Sequence, residues 1–256
     1  MKKETNYERD EAQSEGLIEG RNAVTEALKS GRTINKLFLA DGDVDKTLGR
    51  LAAQAKDAGA VVVRIDRRKL NEMSPTGAHQ GVIASVAAHE YATVEDMLAL
   101  AEERGEAPLL VICDELSDPH NLGAIIRTAE CAGAHGVIIP KRRSVGLTAV
   151  VGKASAGAIE YMPVARVSNL AATMRDLKQR GIWIYGTAAE GASELHRTDL
   201  TGPAAIVIGN EGVGMSRIVA ENCDFKVSIP MKGKISSLNA SAAAAILLYE
   251  ALRQRG

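Results

Sequence analysis

The chain is poor in aromatic residues. One Trp, two Phe and five Tyr among 256 positions make up 3% of it. Aromatic cages and extended stacking platforms are therefore excluded as the basis of a binding site. Cysteine is as scarce. Cys113, Cys131 and Cys223 lie far apart, and with no C-x-x-C pair neither a zinc site nor a redox motif is signalled; scattered thiols suit a reducing compartment. His79, His89, His120, His135 and His196 show no helical metal spacing, and H-E-x-x-H is absent, so no metal is expected. Long apolar runs are missing too. The longest uncharged stretch, between Lys234 and Glu250, falls short of the ~18–20 residues that span a bilayer. The opening MKKETNYERDEAQSEG has no apolar core of a signal peptide and reads as a disordered tail over residues 1–15. A cytoplasmic protein without membrane contact is expected. Nor is there a G-x-G-x-x-G fingerprint after any strand, a G-x-x-x-x-G-K-[ST] loop or a G-x-S-x-G elbow. "GNEGVG" spaces its glycines in the wrong order for a dinucleotide turn.

Charge is balanced overall at −1 but unevenly divided. Residues 1–107 carry 15 Lys/Arg against 19 Asp/Glu, and residues 108–256 carry 16 against 13. Neither half demands a nucleic-acid partner. Two clusters stand out, Arg64, Arg67, Arg68 and Lys69, and Lys141-Arg142-Arg143. Each is either a phosphate track or a solvated surface.

Periodicity reads as alternating strand and helix. In the first part, NAVTEALKSG is a helix with Asn22 as a possible cap, KTLGRLAAQAKDAGA is amphipathic, and KLFLA, VVVRI and GVIASVAA are strands. This predicts a small α/β domain over 16–90. A linker with a Thr93-capped helix follows at 91–107. In the second part, LLVIC, GVIIP, IWIYG, AIVIG and KVSIP are nearly continuous apolar runs, as parallel strands buried on both faces require. Helices are expected near 121–133, 148–155, 169–180, 215–221 and 239–254. A mainly parallel sheet over 108–256 places a ligand crevice at the C-terminal strand ends.

The loops at those ends hold the candidate residues. Asn121 is either a helix cap or a crevice-facing amide, and Arg127 either a snorkelling surface residue or a functional cation. TAAEGASE and NEGVGMS are small, glycine-rich and polar, suited to close approach of a ligand or merely to tight turns. Ser237 or Asn239 can cap the last helix. Capping needs only one of them, which leaves a polar side chain for the crevice. The last helix, apolar on all sides, is expected to be enclosed. His79-Gln80, between Gly77 and Gly81, either presents polar edges on a loop or closes a turn with a satisfied histidine.

Three segments, DPHNLGAIIRTAECAGAHGVIIP, AIVIGNEGVGMS and IPMKGKISSLNASAAAAILLYEA, resemble in order and spacing the three motifs of the SPOUT superfamily, in its TrmH (SpoU) branch. Residues 17–90 resemble the small N-terminal domain of the ribosomal RNA members, similar in fold to kink-turn-binding ribosomal proteins. The resemblance implies a deep trefoil knot, a homodimer, and S-adenosylmethionine as methyl donor. The implied activity is 2′-O-methylation of a guanosine ribose in 23S rRNA, on the RNA itself or a large-subunit assembly intermediate. A tRNA methyltransferase of the same family and a non-catalytic RNA-binding protein are the alternatives. Carried over by motif position, Asn121, Arg127, Glu211, Ser237 and Asn239 would surround the catalytic centre. Thr187, Ala188, Ala189, Gly191, Gly209, Asn210, Gly212, Ile229, Met231, Ser237 and Leu238 would hold the cofactor. RNA contact would fall to Arg64, Arg67, Arg68, Lys69, His79, Gln80, Lys141, Arg142 and Arg143.

Overall fold

The computed structural model describes residues 16–29, 31–42, 45–74, 77–86, 89–188, 192–210, 212–235 and 237–256. The expected N-terminal tail lies outside them. The chain divides into two units, Met1–Glu90 with Gly146–Ala149, and Tyr91–Val145 with Val150–Gly256.

In the first unit, β1 (Gly16–Glu19), β2 (Ile34–Ala40), β3 (Val61–Ile65) and β4 (Val82–Val86) form a sheet in the order β1-β4-β2-β3. The β1/β4 and β4/β2 pairs are antiparallel and β2/β3 is parallel. Side chains alternate along a strand, so β2 supplies two cores. Leu37 and Leu39 pack with Val24, Leu48 and Leu51 from α1 (Arg21–Lys29) and α2 (Lys46–Asp57). Phe38 and Ala40 pack with Leu70 and Met73 from α3 (Arg67–Met73). Asp45 and Asp66 cap α2 and α3, each accepting a backbone N–H two residues on at 2.7 Å. Helix α1 begins at Arg21, so Asn22 stands in its first turn rather than at its cap; the chain enters through Gly20 at φ +89°.

The second unit is a parallel sheet of seven strands. These are β5 (Leu109–Cys113), β6 (Gly136–Pro140), β7 (Val164–Val167), β8 (Trp183–Thr187), β9 (Ser193–Glu194), β10 (Ala204–Ile208) and β11 (Phe225–Ser228). Their order is β7-β6-β5-β10-β8-β11-β9, with every pairing parallel. The chain leaves β5 in one direction to β6 and β7, then builds the other half, and β10 fills the place between β5 and β8. This reversal of direction is where open parallel sheets form their crevice. β5 and β10 are buried along their whole length, the reason they read as unbroken apolar runs.

Helix α4 (Val94–Arg104) carries a complete capping box between Thr93 and Asp96, and ends at Gly105 in the left-handed conformation. Its Val94 and Met97 join Leu110, Ile112 and Ile138 in the core of the second unit. The remaining helices there are α5 (Pro119–Cys131), α6 (Ala149–Ala154), α7 (Leu170–Gln179), α8 (Arg217–Asn222) and α9 (Ala240–Arg255). Among the described residues no helix is long and apolar enough to cross a membrane.

One buried polar atom in the first unit is unsatisfied. Ser85, on β4, is 2% exposed and its Oγ has no hydrogen-bond partner among the described residues. An unmet buried hydroxyl costs about 1 kcal/mol or more. Ser85→Ala should therefore raise the urea midpoint, by about 1 kcal/mol of stability at most, with an unchanged m-value.

Candidate active site

Three loops leave the C-terminal ends of neighbouring strands β10, β8 and β11. They comprise residues 209–216, 188–192 and 229–239. The β10 loop begins at Gly209, where a Cβ would lie 2.4 Å from the backbone of Gly214 and of Met215; backbone cannot yield, so no side chain fits. Asn210 and Gly214 exchange two backbone hydrogen bonds of 3.0 and 2.8 Å. The Asn210 Oδ1 accepts from Gly212 N at 2.9 Å and closes the turn. Its Nδ2 donates to the carbonyl of Glu115 at 3.1 Å, tying this loop to the one after β5. The buried carboxylate of Asp114 accepts from Ser216 N at 2.6 Å and holds the far end of the same loop.

Residues expected at the cofactor gather on these three loops. Thr187 donates its hydroxyl to the carbonyl of Val207 at 3.0 Å, and Ala188 N donates to that of Val227 at 3.0 Å. Ile229 and Leu238 are half-buried; Gly212, Met231 and Ser237 are exposed. Ala189, Gly191 and Glu211 lie outside the described residues.

The expected catalytic residues divide between α5 and α9. Asp118 caps α5, accepting from His120 N at 2.9 Å, and Pro119 opens the first turn. Asn121 is thus the third helical residue and not a cap, which corrects one reading of it. Its side chain is 6% exposed, and its Oδ1 accepts from the Asn239 Nδ2 at 2.9 Å. Asn239 caps α9 with its own Oδ1, which accepts from Ser241 N at 3.0 Å and Ala242 N at 3.3 Å. Of the Ser237/Asn239 pair, Asn239 is the cap, as the sequence allowed, and it also reaches Asn121; Ser237 is left exposed. Arg127 stands six residues beyond Asn121. The turn therefore carries it about 120° around the helix and about 9 Å along it. It is exposed, with no hydrogen bond or ion pair to another described residue.

The far end of α9 is fastened too. The Arg255 guanidinium donates to the carbonyls of Ala107 (2.6 Å), Gly202 (2.5 Å), Leu200 (2.9 Å) and Pro108 (3.4 Å). The Gln254 Oε1 accepts from Leu200 N at 2.8 Å. Between these ends α9 buries Ala240, Ala244, Leu247, Leu248 and Ala251 but leaves Ile246 and Tyr249 about half-exposed. The expected enclosure on all sides is therefore not met within one chain.

Sequence reasoning missed Glu115. It takes φ +55°, and its carboxylate receives Arg143 Nη1 at 3.0 Å; Arg143 takes φ +57°. Each left-handed non-glycine residue costs about 1–2 kcal/mol. An ion pair this exposed returns about 0–1 kcal/mol. Hydrogen bonds also fasten the Glu115 segment, from Asn210 Nδ2 to the Glu115 carbonyl and from Val145 N to the Leu116 carbonyl at 2.9 Å. The acid run after LLVIC was visible in the sequence, but its backbone conformation was not. Nearby, Lys141 is half-buried, its carbonyl accepting from Arg166, and Arg142 is exposed. Burial, and next the charge of Asp114, push the Cys113 thiol up to about 12, leaving it inert.

In the first unit Arg64, Arg67 and Arg68 are exposed and Lys69 is half-buried. His79 departs from the polar-edge reading. It is 3% exposed, its Nδ1 accepts from Gly81 N at 2.9 Å, and its Nε2 faces the Asn71 Oδ1 at 2.6 Å. Both ring nitrogens are spent inside the unit. Gln80, at φ +50°, accepts from Arg21 through its side chain and its carbonyl. In the second unit His135 repeats the pattern, with Leu109 N on Nδ1 and Glu106 on Nε2.

Burial is the main cause holding both imidazoles below their ordinary value near 6.5; the charge of Arg67 adds to it at His79, while Glu106 opposes it at His135. The unfolded chain thus takes up these protons more readily. Their contribution to stability is complete above about pH 6.5 and is lost as pH falls through the depressed values. Melting temperature should drop between about pH 7.5 and pH 5.5, and the drop should shrink in a His79→Gln/His135→Gln variant. For the asparagine pair, Asn239→Ala removes a cap and deprives buried Asn121 of a donor, a loss of about 2–3 kcal/mol. Asn239→Ser should recover the cap portion alone, about 1 kcal/mol, in equilibrium urea unfolding.

Known proteins resemble this chain. Residues 108–249 match the SpoU rRNA Methylase family, and residues 17–92 match the RNA 2′-O ribose methyltransferase substrate binding domain. YacO of Bacillus subtilis (strain 168), which carries the name of a TrmH family tRNA/rRNA methyltransferase, is 51% identical over 244 residues, 95% of this chain and 98% of that one. The SpoU methyltransferase AviRb from Streptomyces viridochromogenes, solved in complex with its cofactor AdoMet, superposes with a TM-score of 0.60 at 28% identity, over 95% of this chain and 91% of that one. A TrmH/SpoU tRNA modifying enzyme of A. aeolicus superposes with a TM-score of 0.53 at 30% identity, over 63% of this chain and 83% of that one. With matched segments that hold both the glycine loop and the joined asparagines, the chain belongs to the SpoU rRNA methylase family.

Proposed function

We propose that this protein transfers the methyl group of S-adenosylmethionine to the 2′-oxygen of a guanosine ribose in 23S rRNA, in the cytoplasm, on the RNA itself or on a large-subunit assembly intermediate. The observation that carries the reading is the 2.9 Å bond between Asn239 and Asn121. It joins the first and third motif segments, and Asn210 ties the second to the same strand ends. The match of residues 17–92 to a substrate-binding domain supports ribosomal over transfer RNA.

The cofactor's fit rests on the loops of β10, β8 and β11. They are adjacent, and the β10 loop passes through a glycine that admits no Cβ. Thr187, Ala188, Gly209, Asn210, Gly212, Ile229, Met231, Ser237 and Leu238, together with Ala189 and Gly191, would hold it. When bound, the sulfonium supplies an activated methyl group. The chain's task is then to align the ribose and to ease loss of its hydroxyl proton. The amides of Asn121 and Asn239, fixed by each other, are preorganised dipoles for the ribose. Arg127 is exposed, and a guanidinium donates only. Its role in this reading is to grip the adjacent phosphate and, by its charge, to lower the hydroxyl's pKa. Glu211 orients Arg127 or Asn121. The trefoil knot and a homodimer belong to the same reading, and the exposed apolar stripe of Ala242, Ile246 and Tyr249 on α9 supports the dimer.

Mass-spectrometric mapping of 2′-O-methyls after deletion of the gene tests the substrate: one guanosine mark should vanish from 23S rRNA. A mark lost from tRNA alone would overturn the ribosomal assignment. Titration calorimetry should detect S-adenosylmethionine binding; its absence leaves a non-catalytic RNA-binding protein. Asn239→Ser should lower methyl transfer about a hundredfold or more while the protein stays folded. Arg127→Lys should lose the rate while RNA binding persists, since a lysine offers no planar fork. Recovery of the rate with a lower pH optimum would instead make residue 127 the base.

A further inference from the structure

Arg143 and Glu115 face each other across two loops at the C-terminal ends of β6 and β5. The two sides of this pair differ. The Arg143 side chain is 79% exposed and that of Glu115 is 30% exposed. Among the described residues only Nη1 of the fork is engaged, by one carboxylate oxygen at 3.0 Å. Both backbones are left-handed; Asn210 Nδ2 donates to the Glu115 carbonyl, and Val145 N donates to the neighbouring Leu116 carbonyl. Beside them Arg142 is exposed, with no ion pair to another described residue. The backbone thus presents a guanidinium to solvent and sets an acid against it. That contact is displaceable, because an exposed pair is weakly held and a phosphodiester can engage both arms of the fork where the carboxylate engages one.

We infer that Glu115 limits RNA affinity by occupying the face of Arg143 that a substrate phosphate takes. The inference rests on the RNA-methylation reading above. RNA that takes both arms of the fork displaces the carboxylate from Nη1. The same penalty meets every RNA that takes both arms, so Glu115 lowers the sequence-independent, electrostatic part of RNA affinity. Displacement also has an ionic signature. The phosphate sheds a condensed cation when it meets Arg143, and the released carboxylate takes one up. Wild type should therefore show a salt slope shallower by up to about 0.7 than its phosphate contacts alone would produce.

The test is filter binding of protein-free ribosomal RNA across a potassium chloride series, with Glu115→Gln, Arg143→Gln and the double variant. Glutamine keeps the size of Glu115 and an acceptor for Arg143 but not its charge. Glu115→Gln should tighten RNA binding about three- to tenfold at low salt and steepen the slope, with melting temperature and S-adenosylmethionine affinity unchanged. Arg143→Gln should weaken binding and abolish the gain from Glu115→Gln. If Glu115→Gln weakens binding as Arg143→Gln does, Glu115 is a clamp for Arg143 and the inference is wrong. It is wrong too if the gain persists without Arg143, since the effect would then be one of net charge. Methyl transfer by wild type to total RNA and to large-subunit precursor particles from a strain lacking the gene is measured alongside. No transfer to either overturns the methylation reading itself; transfer without a tighter Glu115→Gln overturns this inference alone.

Discussion

The insertion of β10 between β5 and β8 is the constraint on which the rest of the second unit depends. A parallel sheet cannot connect neighbouring strands by tight turns, so every strand sends its loop from the same edge. By entering beside β5 after the chain has already built β8, β10 brings three distant segments to one place. The 209–216 loop lands next to the 114–118 loop, and the 229–239 loop follows from β11 two strands away. Gly209 and Asp114 show how closely these loops meet. One position admits no side chain, and at the other a buried carboxylate is consumed by a backbone amide.

Against that frame α9 acts as a strut between the two edges of the sheet. At about 24 Å for 16 residues, it reaches from Asn239 at the crevice to Arg255. There four carbonyls from the segments entering β5 and β10 close on the guanidinium. Burial lowers the pKa of Arg255 from its ordinary value. Asn239 serves twice: its oxygen caps the helix and its nitrogen bonds Asn121. Coupling a cap to a functional amide means that the orientation of the amide is set by the start of a long, well-packed helix.

The strands of this unit were legible because burial on both faces leaves no alternation to interpret, as in LLVIC and AAIVI. β1, β7 and β9 were not, being two to four residues long and, in β7, interrupted by Arg166. Helix starts were ambiguous wherever two capping types stood close together. Asp118 and Asn121 both suit a cap, and only the fold shows that Asp118 takes it while Asn121 is drawn off to Asn239. His79 sat between two glycines as an exposed loop residue would, yet the turn folds inward and uses both of its nitrogens. Burial of a short polar segment depends on what lies above it, which spacing along the chain does not encode.

What the sequence determined alone is therefore local and chemical. It held the α/β alternation, the places where polar loops follow buried strands, and the residue types gathered in those loops. The tertiary structure decided the pairings: Asn239 with Asn121 across 118 positions, Asn210 with Glu115 across 95, and Arg143 with Glu115 in two left-handed turns. It also decided that Arg127 is exposed while Asn121 is buried, and that Ile246 and Tyr249 remain uncovered. Composition and periodicity report which face of an element seeks burial. Which other element meets that face, and which loop tips then touch, depends on strand order, and strand order comes from long-range packing that no local pattern contains.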